Sequence, residues 1–535
     1  MHSMGVLTDW GFPSDLEDVS GEVTIAGVGE ADHTKASGRT AKQIGAQAIE
    51  RALADAGLTP RDVDGIMYTP FDGQQFGADD YREHFGTTHD MWVSTAGGGM
   101  VWAGSAPYEA ALAIRTGKAH TIVNVFSVAW ATQRADMVGG PGEVHAAELF
   151  KQNLEVPFGW FPQPVYFATI ARRHMHDYGT TPAQLGAIAV ACRRHANLTP
   201  AAVLHDKPLT LEQYLASPAI CDPFRKEDCC LISDGGGAYI MTSVERARDL
   251  RPPVIEVAGV GVGNSKTRVY WSQQADFTAT PQVFAGPGAF RMAGIVPADV
   301  DVLACYDPFT IVSLMQIEDM GFCKKGEGGP FVEGTALHFD GGGLPYNTHG
   351  GMLSHAYVLG IAHVVEVVRQ LQGQAAAQVK DAEIGVHPEA RVRFRSEFPL
   401  PDTDWPPTRE FWAAAARGEL AVPRCDACRR YVWYPDGMCR FCGSPFSTWT
   451  VVSGRGRLFS WSVVRRAFIP QLAADVPYVA GLVAIEEDPA VRIVTRIVDC
   501  DPTLLRVDMP VRVVFRPLLF RGVQGEVTAP MFVPV

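Results

Sequence analysis

The chain has 535 residues, 47% of them hydrophobic and 20% charged, a globular composition long enough for at least two folded units and a poor fit to wholesale disorder or a fibrous repeat. Its formal net charge of −13 argues against a general binder of nucleic acid or other polyanions. No run approaches the roughly 18 uninterrupted apolar residues of a membrane span, since 356–371 is broken by His363, Glu366 and Arg369. The opening residues carry neither the basic nor the apolar segment of a secretory signal, so the expected location is cytoplasmic, with no membrane partner.

Along the chain, Thr40 with Gln43 forms a capping-box pattern, Ile44, Ala48, Ala52 and Leu53 recur at helical spacing, and Gly57 closes the helix. The pattern then predicts a strand at 65–69, a helix at 103–115, a strand at 121–128, a helix at 165–178 and a strand at 187–191, an α/β rhythm. Two echoes argue for duplication. Six of nine positions are identical between 56–64 and 293–301, and Gly98-Gly99-Met100 returns as Gly350-Gly351-Met352, each ahead of an apolar helix. The expected fold is two similar halves sharing one layered αβαβα core.

The stretch 385–409, rich in Pro and charge, reads as a connection, which divides the chain into 1–384, the linker, 410–447 and 448–535. From residue 401 onward there are 16 Arg, no Lys and 14 acids, so the acidic excess lies entirely in the first part. Cys425, Cys428, Cys439 and Cys442 form two Cys-x-x-Cys pairs with ten residues between the inner cysteines, the spacing of a four-thiolate structural zinc site. Four protein ligands leave no open position for catalysis. Beyond them, β-branched and aromatic runs at 449–452, 457–465, 478–486, 491–498 and 511–515 predict a small five-stranded barrel of the oligonucleotide-binding (OB) type. Without lysine and with a charge near zero, it is not expected to bind nucleic acid.

Motifs across 1–384 resemble the thiolase superfamily, in the branch of sterol carrier protein X and bacterial lipid-transfer thiolases. They are RRHANLTPAA (193–202), PLTLEQYLASPAICDPF (208–224), CCLISDGGGAY (229–239), DVDVLACYDPFT (299–310) and PYNTHGGMLSHAYVLG (345–360). FWAAAARGELAVPRCDAC (411–428), GRGRLFSWSVV (454–464) and VPYVAGLVAIEE (476–487) resemble the zinc-ribbon plus OB-fold proteins that associate with acyl-CoA thiolases. The resemblance implies a homodimer through the thiolase domain and an acyl-CoA substrate, coenzyme A entering as part of that substrate.

It does not imply thiolysis. Ala96 or Gly97 stands where the thiolase nucleophile would be, Tyr306-Asp307-Pro308-Phe309 replaces Asn-Glu-Ala-Phe, and Tyr357 replaces the Gly-His-Pro histidine. Two such tyrosines resemble the steroid aldolases of this branch, which cleave a β-hydroxyacyl-CoA by retro-aldol reaction to a ketone or aldehyde and a short acyl-CoA. That chemistry needs a base for the β-hydroxyl, donors for the enolate oxygen and an acid for the enolate carbon. Tyr306 and Tyr357 are the expected proton-transfer pair. His349 and His355 are either their tuning partners or structural residues, and Asn347 with the Gly350 and Gly351 amides is the candidate oxyanion site. Cys305, Cys229 and Cys230 read as packing thiols, and the runs Gly97–Gly99 and 341–343 as tight turns or amide cradles. The alternatives are an acyltransferase with another nucleophile and a non-catalytic acyl-CoA or lipid scaffold.

Overall fold

The computed structural model describes residues 11–70, 74–99, 101–137, 149–160, 162–250, 253–266, 270–388, 400–446, 448–520 and 525–535. A six-stranded sheet lies at the centre of the first half. Its order is Trp92–Ser94, Gly65–Met67, Thr121–Ala129, Asp234–Ser243, Val23–Glu30, Ile255–Glu256. The Gly65–Met67 strand pairs in parallel on both sides, and the remaining pairs are antiparallel. Val23–Glu30 and Thr121–Ala129 are buried along their whole length, as strands covered on both faces must be. The helix Ala41–Ala56 covers one face, and Val101–Arg115 with Ile361–Leu371 covers the other.

Small residues set how closely the first helix approaches the sheet. A Cβ on Gly27 would lie 2.6 Å from the Ala52 carbonyl oxygen, and one on Gly29 would overlap the Ala48 carbonyl. The same device recurs in the second half, where Ala258-Gly259-Val260-Gly261 repeats Ala26-Gly27-Val28-Gly29. There a Cβ on Gly261 would meet Ala289 N at 2.7 Å, and one on Gly259 would meet Ala293 N at 2.8 Å, both in the helix Gln282–Ala293. Both helices end at a left-handed glycine, Gly57 and Gly294, each with φ 70° and ψ 26°. Each is followed by a single 3-10 turn opened by proline, Pro60–Asp62 or Pro297–Asp299, whose aspartate accepts from the backbone N–H preceding the turn at 2.8 Å. The echo at 56–64 and 293–301 is therefore a repeat of structure as well as sequence.

Several sequence expectations are corrected. Residues 187–191 lie inside the helix Pro182–Ala196 rather than in a strand; a short apolar run does not distinguish the two, and the Thr181–Gln184 capping box with Pro182 in the first turn starts a helix. The presumed linker opens with Gly385–Val386, which pairs in parallel with Val302–Leu303 and so belongs to the second α/β half. Residues 389–399 of that stretch lie outside the described residues.

The five-stranded barrel forms, with one strand reassigned. Arg455–Val464, Tyr478–Ile485, Arg492–Ile497, Val527–Pro534 and Pro510–Leu518 close on one another, whereas Trp449–Val451 pairs with Ala421–Pro423 beside the cysteine cluster. Val527–Pro534 escaped the pattern because Pro530 and Pro534 read as strand breakers. The barrel also continues into the α/β part: Val463 and Val464 pair with Asp222 and Cys221 of the strand Ala219–Asp222. The Arg172 guanidinium, from the helix Gln163–Tyr178, donates to the Trp461 carbonyl at 2.9 Å and to the Asp222 carboxylate at 2.6 Å. One apolar core runs through both, joining Phe167, Phe224 and Phe309 to Trp461, Leu482 and Phe532. Among the described residues no helix is long and apolar enough to cross a membrane.

Candidate active site

The turn from the strand Trp92–Ser94 into the helix Val101–Arg115 is where a thiolase presents its nucleophile, and here it is built from glycine. A Cβ on Gly97 would press on Met67 and on Asn124 Oδ1, and one on Gly99 would lie 2.9 Å from the Leu359 carbonyl oxygen. The described cysteines outside the four-cysteine cluster offer no substitute nucleophile. Cys192, Cys229, Cys230 and Cys305 lie where burial pushes the thiol well up, opposite to the activation a thiolate nucleophile needs.

The apolar cluster that borders this turn through Met67 and Leu359 also holds the two tyrosines. Tyr306 is 4% exposed and Tyr357 8%, and both belong to one apolar cluster with Met67, Phe126, Met352 and Leu359. The ring of Tyr357 packs against Trp130 with centroids 4.8 Å apart. Asp307, next to Tyr306, fastens the two segments together. Its carboxylate accepts from Met352 N at 2.7 Å and Leu353 N at 3.4 Å, in the short helix Gly351–Ser354, and it pairs with His363 Nε2 at 3.0 Å. Gly351 must be glycine there: it has φ 61°, and a Cβ would overlap the Asp307 carboxylate.

The motif CCLISDGGGAY is the strap across these segments. Cys230 N donates to the Pro308 carbonyl at 2.9 Å, Leu231 N to the Met352 carbonyl at 3.0 Å, and Ser233 Oγ accepts from Tyr357 N at 2.8 Å. Asp234 then accepts from the backbone of Ser37, Ala131 and Thr132, which fixes the start of the helix Trp130–Met137 and with it the Trp130 ring. Cys230 thus serves through its backbone, and the two thiols pack against the apolar clusters as expected.

His349 and His355 lie side by side, ring centroids 4.9 Å apart, in a buried row of imidazoles that runs from His33 through His355, His349 and His363 to His387. Burial and the neighbouring imidazoles keep His349 neutral, and neither of its ring nitrogens has a hydrogen-bond partner among the described residues. Asn347 is left-handed at φ 42°, and its amide nitrogen donates to the Cys305 carbonyl at 3.0 Å. Its amide is thus engaged in holding the segment that leads to Tyr306. Glu30, His33, Asp307, His363 and Trp130 were not singled out by the sequence. Of these only Asp307 carried a local signal, lying inside the tyrosine motif itself.

The four cysteines converge as expected. Cys425 Sγ and Cys442 Sγ are 3.6 Å apart, Cys428 Sγ and Cys439 Sγ 3.5 Å, and all four lie within 4.8 Å of one another. Sulfurs about 2.3 Å from a tetrahedral zinc stand about 3.8 Å apart, so the donor set fits that ion. Their ribbon packs against the main core through Trp433 and Tyr434, and Tyr434 donates to the buried Glu155 carboxylate at 2.5 Å.

Comparison with known proteins agrees with this architecture. Residues 263–391 match a family described as thiolase C-terminal domain-like, 412–447 the ChsH2 rubredoxin-like zinc ribbon domain, and 449–516 the ChsH2 C-terminal OB-fold domain. A 17-hydroxy-3-oxo-4-pregnene-20-carboxyl-CoA lyase of Mycobacterium tuberculosis is 36% identical over 373 residues, covering 68% of this chain and 95% of that protein. The chain belongs to the thiolase-fold aldolases. A second such aldolase, the steroid side-chain-cleaving aldolase of Thermomonospora curvata, is 34% identical over 374 residues, 68% of this chain and 93% of its own. The solved Ltp2-ChsH2(DUF35) aldolase superposes with a TM-score of 0.62 at 31% identity, covering 71% of this chain and 99% of its own. In the present aldolase, the zinc ribbon and OB barrel are part of the same chain as the thiolase fold.

Proposed function

We propose that this aldolase cleaves a β-hydroxyacyl-CoA carrying a bulky, steroid-like acyl group, releasing a ketone or aldehyde and a short acyl-CoA. The observation that carries the reading is the glycine turn without a thiol facing a cluster that holds Tyr306 and Tyr357. Without an acyl-cysteine the substrate stays a CoA thioester throughout. A base removes the β-hydroxyl proton, the Cα–Cβ bond breaks as the carbonyl forms, and its electron pair passes into the thioester enolate. An acid then protonates the former α-carbon. Tyr306 and Tyr357 divide these two proton transfers, and Asp307 holds their segments in register. The apolar lining of Met352, Leu359, Phe126 and Trp130 suits a hydrocarbon acyl group and excludes water that would quench the enolate.

Zinc on Cys425, Cys428, Cys439 and Cys442 supports the ribbon and takes no part in the reaction, since all four positions are filled by thiolate. The thiolase part is the dimerisation surface in this reading. The test is mass spectrometry of products from a panel of β-hydroxyacyl-CoAs with wild type, Tyr306→Phe and Tyr357→Phe. Each substitution should lower turnover by about 10²–10⁴-fold, the usual worth of general acid–base catalysis, with folding and zinc content unchanged. Cleavage at the wild-type rate in both variants would remove the tyrosine mechanism.

A further inference from the structure

Beside the tyrosine cluster, three ligand-type atoms from two segments, 30–33 and the one carrying His355, converge on one point. His355 Nε2 is 2.9 Å from Glu30 Oε1 and 3.0 Å from His33 Nδ1, and the triangle closes at 3.9 Å between His33 Nδ1 and Glu30 Oε1. A point equidistant from the three lies about 2.0 Å from each, the length of zinc–imidazole and zinc–carboxylate bonds. All three residues are buried.

Proton counting makes the arrangement unusual. His33 Nε2 faces the Gly236 carbonyl at 3.3 Å, so the neutral ring carries its hydrogen there and turns the Nδ1 lone pair inward. Glu30 Oε1 brings only lone pairs. His355 Nε2 can carry at most one hydrogen, leaving three electron-rich atoms around a single proton. The outer contacts are those of a metal site's supporting shell: the Gly236 carbonyl fixes the His33 ring, and the Arg369 guanidinium grips the other Glu30 oxygen, leaving Oε1 to point inward. A cavity of about 360 Å³, bordered by Glu30, His33, Pro200, Ala202 and Arg369, adjoins the triangle and has room for water as a fourth ligand.

We propose that Glu30, His33 and His355 bind a divalent cation of the zinc class, a second metal site separate from the cysteine cluster. Two imidazoles and one carboxylate with an open position suit zinc and its first-row neighbours rather than calcium or magnesium. The site ties the end of the strand Val23–Glu30 to the segment two residues before Tyr357, so the ion acts as a pin on the Tyr357 segment.

The experiment is zinc stoichiometry and cobalt titration on the full chain. Wild type should hold two zinc equivalents, and His33→Ala and Glu30→Gln one each. Cys442→Ser, which breaks the ribbon site, should still retain one. With cobalt, one equivalent should show the thiolate charge-transfer band of the cysteine cluster and the other should lack it. Loss of one of the three ligands should weaken the second site by more than the roughly 100-fold that supporting residues are worth. A wild-type content of one zinc, or two equivalents surviving in both His33→Ala and Glu30→Gln, overturns the proposal. If either variant fails to fold, the wild-type count and the cobalt spectrum still decide it.

Discussion

Putting a thiol back into the turn tests why this chain works without one. In Gly97→Cys the new Cβ would sit 2.5 Å from Asn124 Oδ1, 2.9 Å from the Met67 carbonyl carbon and closer still to the Met67 side chain. Neither neighbour has room to move. Met67 ends a buried strand, and the Asn124 amide accepts from Gly98 N at 2.5 Å and donates to Gly98 O at 3.1 Å, which shapes the turn itself. Overpacking costs about 1–3 kcal/mol, and stripping a buried amide of its partners about 1–3 kcal/mol more. The sum, about 2–6 kcal/mol, is a large share of a typical folding stability and, at about 2.1 cal/mol/K of unfolding entropy per residue over the 535-residue chain, should lower the melting temperature by roughly 2–5 °C. Ala96→Cys is the control, because Ala96 already has a Cβ and is half-buried; its melting temperature should stay within about 0.5 °C. Neither variant should acquire thiolysis of a 3-ketoacyl-CoA, since Tyr357 occupies the place of the histidine base. A Gly97→Cys protein as stable as wild type, or one that performs thiolysis, would refute the account of this turn.

Three further outcomes are expected. Stripping metal with a strong chelator should loosen the ribbon and move Trp433, which packs on Phe411 at 5.1 Å, into a wetter environment; unchanged tryptophan emission after proven zinc loss would contradict a folding role for the ion. Arg172→Ala removes the charge-assisted bonds to Trp461 and Asp222 and should cost about 1.5–3 kcal/mol, read as faster amide exchange at 219–222 and 461–464. Equal exchange would show that the strand pairing alone holds the barrel in place. Burial lowers His195 to about 4, so below pH 6.5 the unfolded chain takes up a proton that the folded chain refuses. Stability should therefore fall as pH drops from 6.5 towards 4, by up to about 3 kcal/mol from this residue, and His195→Gln should flatten that part of the profile. Parallel pH profiles for the two proteins would rule the residue out.

Features written in short stretches of chain were legible in the sequence. The Thr40 capping box, the Gly57 helix end and the cysteine spacing each involve a few neighbouring residues, and each is present as expected. The Ala-Gly-Val-Gly repeat was equally visible in principle, but its meaning depends on a helix lying against it, which the strand pattern alone does not reveal. Periodicity misled where it was too short to discriminate, at 187–191, and where proline masked a barrel strand, at 527–534. The proposed tyrosine pair came from the resemblance, which supplied the two positions. The residues that order them could not be found in this way: Glu30 and His355 are 325 positions apart, and the Asp307–His363 pair is 56 apart. The first contact depends on how the two halves fold over each other, the second on how the second half folds on itself.

The continuity of the barrel with the α/β part has a consequence for how the protein is made. Thr169, on the helix that the barrel covers, accepts from Ser460 Oγ across 291 residues. At roughly 5–20 residues per second, the ribosome needs roughly 15–60 s to deliver the covering strand after the helix has emerged. During that interval the flank carrying Phe158, Trp160 and Phe167, all buried in the finished molecule, lacks its barrel cover, although Phe167 can already meet Trp271 and Phe309. The rate of translation through 180–460 therefore sets how long that part of the apolar surface waits for its cover.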